Sequence, residues 1–521
     1  MEENKISKGK EILAILLLTM VIGTGTIAWI VWSSKDNTKM NVTIGDLADV
    51  SFKSGNDINI SNLSPSFYYD DGALTEFSIR KKKGLTTELN TNIYLDITSI
   101  SDELKNDNFK YVLLSSSDGN TYNEVISSSF KDASIGKLSI VTDSPLTDGK
   151  TYYKFYIWID GNNENNETMQ GKSLKGTLNV EVLTPPVNAV TLVEGLDKGE
   201  TGDSGSGVYK VTHSAIPASS SATGSEIPAV TDYRYYGASP NNYICLDMEG
   251  QSTCPDKHLY RIIGSIYEEL ENTNRIKVIK ATPLTDGTTS AFSWDYKVNN
   301  GNGSYDNIWA TITSGNYSNS LTSGSQLMKL LNSGLWWNGT SGSYYNNSTT
   351  ATSVNFTNYK LSDKAKSYIT TSRYYLGGYN KSSGVMTNQF YAYERGTTRY
   401  DTNRPLYWDG MVGLMYSSDY GYAAGNSCVT GTDPFNYIVG CKNKDWLWMT
   451  TSSDYTNTAE WLMLPNSGNS RFVFNVYSSG YVFDSGHSSN TYAVRPVFYL
   501  TSSTSILEGT GEENNPYIIT K

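Results

Sequence analysis

Few side chains in this 521-residue sequence suit proton or nucleophile chemistry near neutral pH, and their spacing limits what they could do. There are three histidines, His213, His258 and His487, and four cysteines, Cys245, Cys254, Cys428 and Cys441. His487 adjoins Asp484 and Ser485, but a hydrolase triad needs a strained nucleophile turn, an ordered base and oxyanion donors, and adjacency in sequence provides none of these. Asp409, Asp419, Asp433, Asp445, Asp454 and Glu460 have the chemistry of a glycosidase acid and base, yet their spacing carries no signature. The expectation is a protein that binds rather than catalyses, with no cofactor.

All four cysteines fall in the last 280 residues. An even number in an oxidising exterior reads as disulfides, and the simplest pairing joins Cys245 to Cys254 and Cys428 to Cys441. Three connectivities are open, and the sequence does not choose among them. Zinc fits poorly, because neither pair has C-x2-C spacing and no histidine stands at ligand spacing. Asp197, Glu200 and Asp203 lack the regular ligand spacing and terminal Glu of a calcium loop. No metal is expected.

A binding surface needs rigid contact area and adaptable hydrogen bonds, which Tyr, Trp, Ser, Asn and Gly supply at low entropic cost. Asn466 to Asn490, NSGNSRFVFNVYSSGYVFDSGHSSN, has that composition. Tyr477, Tyr481, Phe483, His487 and Asn490, with Trp336 or Trp337 nearby, are therefore expected to line a shallow ligand site. The competing reading makes Tyr481 and Phe483 core strand residues and the Ser and Asn mere turn formers. Trp446, Trp448 and Trp461 alternate with apolar neighbours in strand-like runs and are read as core, with stacking on a sugar as the alternative. Arg495 is read as structural, with a carboxylate partner. His213 is read as a solvated residue of a spacer.

These residues must be exported and positioned. Ile12 to Trp32 is apolar, carries no charge and follows Lys5, Lys8 and Lys10. At ~1.5 Å per residue it is long enough to span a bilayer as a helix, with a cytoplasmic tail over residues 1–11 and the bulk outside. The expected partner of that segment is the membrane, and the expected location a single-pass cell-surface protein; a cleaved secretory signal is the alternative. The formal net charge of -11 argues against nucleic acid as a partner. The one basic cluster, Arg80-Lys81-Lys82-Lys83, reads as a solvated hairpin tip.

From residue 40 to 185 the pattern is short alternating runs punctuated by turns. Ile93, Leu95 and Ile97 of TNIYLDI, and Leu178, Val180 and Val182 of GTLNVEV, share one face. Seven or eight such strands imply an antiparallel β-sandwich, with TYYKFYIWID as a central strand. An anchor followed by FSIR, TNIYLDI, YYKFYIWIDG and QGKSLKGTLNVEV resembles the camelysin and TasA-like surface sandwiches of Gram-positive bacteria, whose members include matrix-fibre subunits. Pro185-Pro186 closes this region, and residues 186–230, rich in Gly, Ser, Ala and Thr after Asp197, read as a flexible linker.

Residues 231–521 read as α+β with few helices. DYRYYGASPNNYICLD, LYRIIGSIYEE and RIKVIKAT are strands, and Ser325 and Ser362 cap two short helices. WDG-x-VGLMYSSDYGYA, KDWLWMT, EWLMLP, GYVF, YAVRPVFYL and GTGEENNPYII resemble a domain recurring at the C-termini of surface proteins from gut Firmicutes. Their order is similar to the C-type-lectin-like fold of formylglycine-generating enzymes and diversified ligand-binding proteins. In those ligand-binding proteins the stretch corresponding to residues 466–490 forms the ligand face. Two departures limit what the resemblance implies. The EPN, QPD and WND tripeptides of calcium-dependent lectins are missing, Asp433-Pro434 and Trp294-Asp295 being the nearest fragments. No Cys follows Cys441, which removes the oxidase reading. The expected whole is mainly β: an N-terminal transmembrane helix, a sandwich, and a lectin-like head binding an extracellular glycan or protein without metal. The alternative is an envelope or biofilm-matrix subunit assembling through sandwich edges.

Overall fold

The computed structural model describes residues 40–44, 47–83, 88–162, 166–183, 185–313, 316–317, 324–431, 434, 439–449 and 459–521. The expected anchor, Ile12 to Trp32, lies outside them. Among the described residues, no helix is long and apolar enough to cross a membrane. The fold is mainly β and divides into two compact units between Pro185 and Pro186.

The first unit is two sheets sharing one apolar core. One sheet runs Met40–Ile44, Ala48–Phe52, Ala73–Lys81, Lys150–Asp160, Phe109–Ser116, Asn123–Ser129, all antiparallel along this path. The other runs Asp57–Ser61, Ser173–Leu183, Asn90–Ile100, Gly136–Pro145. Lys150–Asp160 is hydrogen-bonded on both sides, as its aromatic and β-branched content requires. Its Phe155, Ile157 and Ile159 point into the core with Leu95, Ile97 and Leu178, while Tyr156 and Trp158 pack with Val112 and Leu114 on the opposite face. The turn after Phe109–Ser116 depends on Gly119, whose φ of +78° L side chains avoid, and on Asp118, whose Oδ1 accepts the amides of Asn120 and Thr121 at 2.8 and 2.9 Å. Of the basic cluster, Lys81 and Lys82 are not free: they reach Asp148 at 3.2 Å and Asp49 at 2.6 Å.

The second unit is built on a larger mixed sheet with the path Val187–Asn188, Ser505–Glu508, Tyr517–Thr520, Tyr243–Cys245, Leu259–Glu268, Thr273–Lys280, Val497–Leu500, Ile369–Thr370. Short helices and small two- and three-stranded sheets pack around it into one core. Ser325 Oγ accepts the Met328 amide at 3.1 Å to start Gln326–Asn332, and Ser362 Oγ accepts the Ala365 amide at 3.0 Å to start Asp363–Ser367. The cysteines pair 245–254 and 428–441.

Three expectations need correction. Residues 186–230 are not a flexible linker: Ala189–Gly195 is a helix, and Gly207–His213 is a strand paired residue for residue with Val230–Tyr236. The second unit therefore begins at Pro186 rather than at 231. Composition misled because Val208, Tyr209 and Val211 inside the Gly/Ser-rich stretch bury themselves, and burial decides order. His213 is not solvated. It is 5% exposed, its ring lies flat on Tyr391 at 3.6 Å between centroids, and its Nε2 is 2.9 Å from Asp232. Finally, Trp446 is buried but sits in a turn, not a strand, and donates to the Tyr235 carbonyl at 3.0 Å.

Candidate functional site

The seven expected site residues fall into three places. Tyr477, Tyr481 and Phe483 surround the tip of the hairpin formed by Phe472–Tyr477 and Val482–His487. Tyr477 donates its amide to the Tyr481 carbonyl at 2.9 Å, and its ring meets Phe483 at 4.4 Å. His487 and Asn490 lie at the other end of that hairpin, about 16 Å along the strand at ~3.3 Å per residue. Asn490 closes the turn onto the His487 carbonyl at 2.7 Å and donates to Tyr492 Oη at 2.9 Å. Trp336 is core at 1% exposure, and Trp337 is half-buried beneath the Lys366 ammonium, 5.2 Å from its ring centroid. Among the described residues no ring contact joins either tryptophan to the hairpin.

The His487 end adjoins a cleft that sequence reading passed over. His487 Nδ1 is 3.3 Å from Tyr305 Oη, and the Tyr305 ring faces Tyr296 nearly parallel at 6.3 Å. The Ser488 and Ser489 carbonyls of the same turn accept the Asp295 amide at 3.0 Å and the Ser293 hydroxyl at 2.7 Å. Asp295 and Tyr296 then line a cleft of 340 Å³, closed on its other sides by Lys297, Lys329, Leu335 and Tyr345. That volume lies within the range of small-ligand pockets.

Local sequence explains how the cleft is held. Gln326, first residue of its helix, donates its amide to Asp295 Oδ1 at 3.0 Å, and its side chain grips Tyr345 through both backbone polar groups, at 2.9 and 3.0 Å. Tyr344, buried behind, donates to the Ser293 carbonyl at 2.7 Å. Asp295 is 1% exposed. Its Oδ2 is ion-paired with Lys297 Nζ at 3.2 Å and is itself shielded from solvent. Burial raises its pKa to about 6; Lys297 opposes this and Asp306 adds to it. Lys329 is lowered, first by burial and then by repulsion from Lys297.

The carboxylates considered for catalysis are engaged elsewhere. Asp409 holds Arg373 by two bonds of 2.8 and 2.9 Å, and Glu460 holds Arg495 by two of 2.7 and 2.9 Å. Asp445 is buried, accepts the Leu447 amide at 2.9 Å and is pushed well above the carboxylate range by burial. Asp419 lies in a buried chain of charges: His213 to Asp232, Asp232 to Arg234, Arg234 to Asp419 at 2.9 Å, and Asp419 to Lys277 at 2.5 Å. Burial pushes Asp419 up, but Lys277 and Arg234 outweigh it and hold the carboxyl below its usual range. Asp433 and Asp454 lie outside the described residues.

Among the described residues one group could ligate a cation: Asp247, Glu249 and His258, whose donor atoms lie within 4.8 Å of one another beside the Cys245–Cys254 bridge. Positive charge already reaches it, Lys257 at 2.9 Å from Glu249 and Lys364 at 3.6 Å from Asp247. Asp247 also accepts the Ser362 hydroxyl at 2.6 Å.

No protein-family model matches this chain, and no curated protein sequence does. The cleft was missed because its walls come from residues about 50 apart in sequence; only Trp294-Asp295, noted as a fragment of a lectin tripeptide, pointed toward it.

Proposed function

We propose that this chain is a membrane-anchored bacterial surface protein, held by Ile12 to Trp32, whose second unit recognises an extracellular glycan or protein without metal and without catalysis. The observation that carries the reading is the cleft itself: 340 Å³, walled by Tyr296, Tyr344 and Tyr345 with Lys297 and Lys329 beside them, it has the size and mixed lining of a ligand pocket. Two disulfides, both in the second unit, are in keeping with an oxidising exterior. The engagement of Asp409, Asp419 and Glu460 with cations favours binding over hydrolysis. The camelysin-like origin of the sandwich and the lectin-like ancestry of residues 231–521 belong to the same proposal.

A second reading has its own support. Asn123–Ser129 is the outermost strand of its sheet, contains neither Lys nor Pro, and exposes Val125 at 42%; Ile135, a few residues on, is 72% exposed. Glu124 and a register shift against Phe109–Ser116 guard part of this edge, but its apolar Val125 suits assembly of copies into fibres. Full-length protein in detergent separates the two. Saturable capture on glycan or mucin surfaces, abolished by Tyr296→Ala together with Tyr345→Ala, supports recognition. Filament growth with no capture, stopped by Val125→Lys, replaces it with assembly.

A further inference from the structure

We infer that the end of the sandwich carrying Phe67, Tyr68 and Tyr69 sits in the headgroup layer on the outer face of the membrane, seating this unit on lipid beside its own anchor; this rests on Ile12 to Trp32 being that anchor, as proposed above. Phe67, Tyr68 and Tyr69 are 67%, 69% and 41% exposed. Single exposed aromatics are ordinary, whereas three in succession form a patch of the kind that marks an interaction surface. They extend an apolar face: the Tyr69 ring meets Tyr156 at 5.2 Å and Trp158 at 6.1 Å, and Leu74, 44% exposed, stands opposite Tyr156 in the register. The loop is held in place. Ser66 Oγ accepts the Tyr68 amide at 3.1 Å and donates to Asp71 at 2.5 Å, and the Gly161 amide donates to the Ser66 carbonyl at 2.8 Å. A Cβ on Gly72 would stand 2.4 Å from the Ile157 carbonyl oxygen, so the chain returns to the sheet only with glycine there. Rings presented by an ordered loop lose little entropy on docking.

Strand register identifies what covers the patch. Met40 pairs with Phe52, Phe52 with Phe77 and Phe77 with Tyr153, whereas Ile44 pairs with Ala48 and Ala48 with Lys81. Met40–Ile44 therefore starts on the side nearer Asp160, and Asp160 pairs with Ser66, next to the trio. The chain enters the sandwich from its aromatic end. From the level of Tyr153 to that of Asp160 is about 23 Å along the strand. From Trp32 to Met40 is at most about 29 Å of fully extended chain. With so short a tether, the end of the sheet nearest the anchor is also the end nearest the lipid. Tyr, Trp and Phe favour that depth, where an apolar ring meets acyl chains and a polar edge meets water. The exposed carboxylates Asp70 and Asp71 follow the trio, so the contact is apolar rather than electrostatic, and a zwitterionic surface suits it better than an anionic one.

The test uses full-length protein reconstituted into phosphatidylcholine vesicles, with an environment-sensitive dye on Tyr68→Cys and doxyl-labelled lipids as quenchers. The same dye on Asp148→Cys, beyond the opposite end of Lys150–Asp160, gives the comparison; both side chains are exposed, so neither change touches the core. Lipid quenching is expected to be about threefold stronger at position 68 than at 148, and Phe67→Asp should cut it by about half, because a charge resists entry into the interface. Replacing half of the lipid by phosphatidylglycerol should not strengthen it. Equal, weak quenching at the two positions in vesicles that retain the protein overturns the inference and leaves the anchor standing. A dye at position 68 shielded from aqueous iodide but not quenched from lipid, as a second copy covering the patch would give, overturns it as well. Quenching that Phe67→Asp leaves unchanged reduces the contact to proximity imposed by the tether and overturns the role of the rings. Protein that washes off the vesicles in alkaline carbonate overturns the anchor, and this inference with it.

Discussion

The two units partner their buried charges differently. In the sandwich, the buried carboxylates Asp160 and Glu181 meet lysines that stay partly exposed, Lys110 at 2.6 Å and Lys137 at 3.6 Å, and pairs such as Lys53–Glu76 and Lys131–Asp107 sit at the surface. In the second unit, Asp232, Arg234, Lys277, Glu394, Arg395 and Asp419 are all buried. Alternation within single strands is enough to specify the first; the second depends on partners far apart in sequence meeting in the interior. Buried ion pairs add little net stability, but each is costly to break, so they penalise wrong arrangements.

That contrast can be broken most directly at Asp419. Asp419→Ala strands Lys277 and the outer side of Arg234 without a counter-charge and should destabilise the second unit by about 3–5 kcal/mol. Phe155→Ala should cost the sandwich a similar amount through a cavity. In calorimetry each variant is expected to move one transition only. The double variant Lys277→Met with Asp419→Leu should recover most of the Asp419→Ala loss, and a double variant no better than the single would show that the charges stabilise outright.

Replacing Cys428 and Cys441 by Ser should lower the second transition by about 3 kcal/mol, the chain entropy released by a loop of this length. Glu394 sharpens the comparison through pH. Burial, opposed by Arg395 and the Ser418 hydrogen bonds, pushes it up to about 7 against 4.5 for the free side chain. The folded state therefore holds the proton more tightly, so this contribution is complete below pH 4.5 and fades as pH rises to 7, by up to about 3 kcal/mol. Glu394→Gln should flatten that slope in chemical denaturation at stepped pH. Gly119→Ala, forced into positive φ, should cost the sandwich about 1–2 kcal/mol. Lys131→Ala should leave both transitions where they are.

Legibility follows the same division. The central position of Lys150–Asp160 and the inward faces of Asn90–Ile100 and Ser173–Leu183 could be read from period-two alternation, and the Ser325 and Ser362 caps from local chemistry. Arg495 and its carboxylate partner could be anticipated from the cost of burying a lone cation. His213 could not, since Tyr391 lies 178 residues away, and its Gly/Ser-rich setting resembles a spacer. At the candidate site, composition singled out the His487 turn, but it could not separate the hairpin's two ends or show that Asp295, Lys329 and Tyr345 converge.

Val187–Asn188 pairs with Ser505 and Ile506, whose strand is in turn bonded to Tyr517–Thr520. The unit's first and last strands thus share one border of its main sheet. A fold with neighbouring ends is portable: it can be spliced into a host polypeptide, or permuted by joining those ends, while every other strand keeps its neighbours.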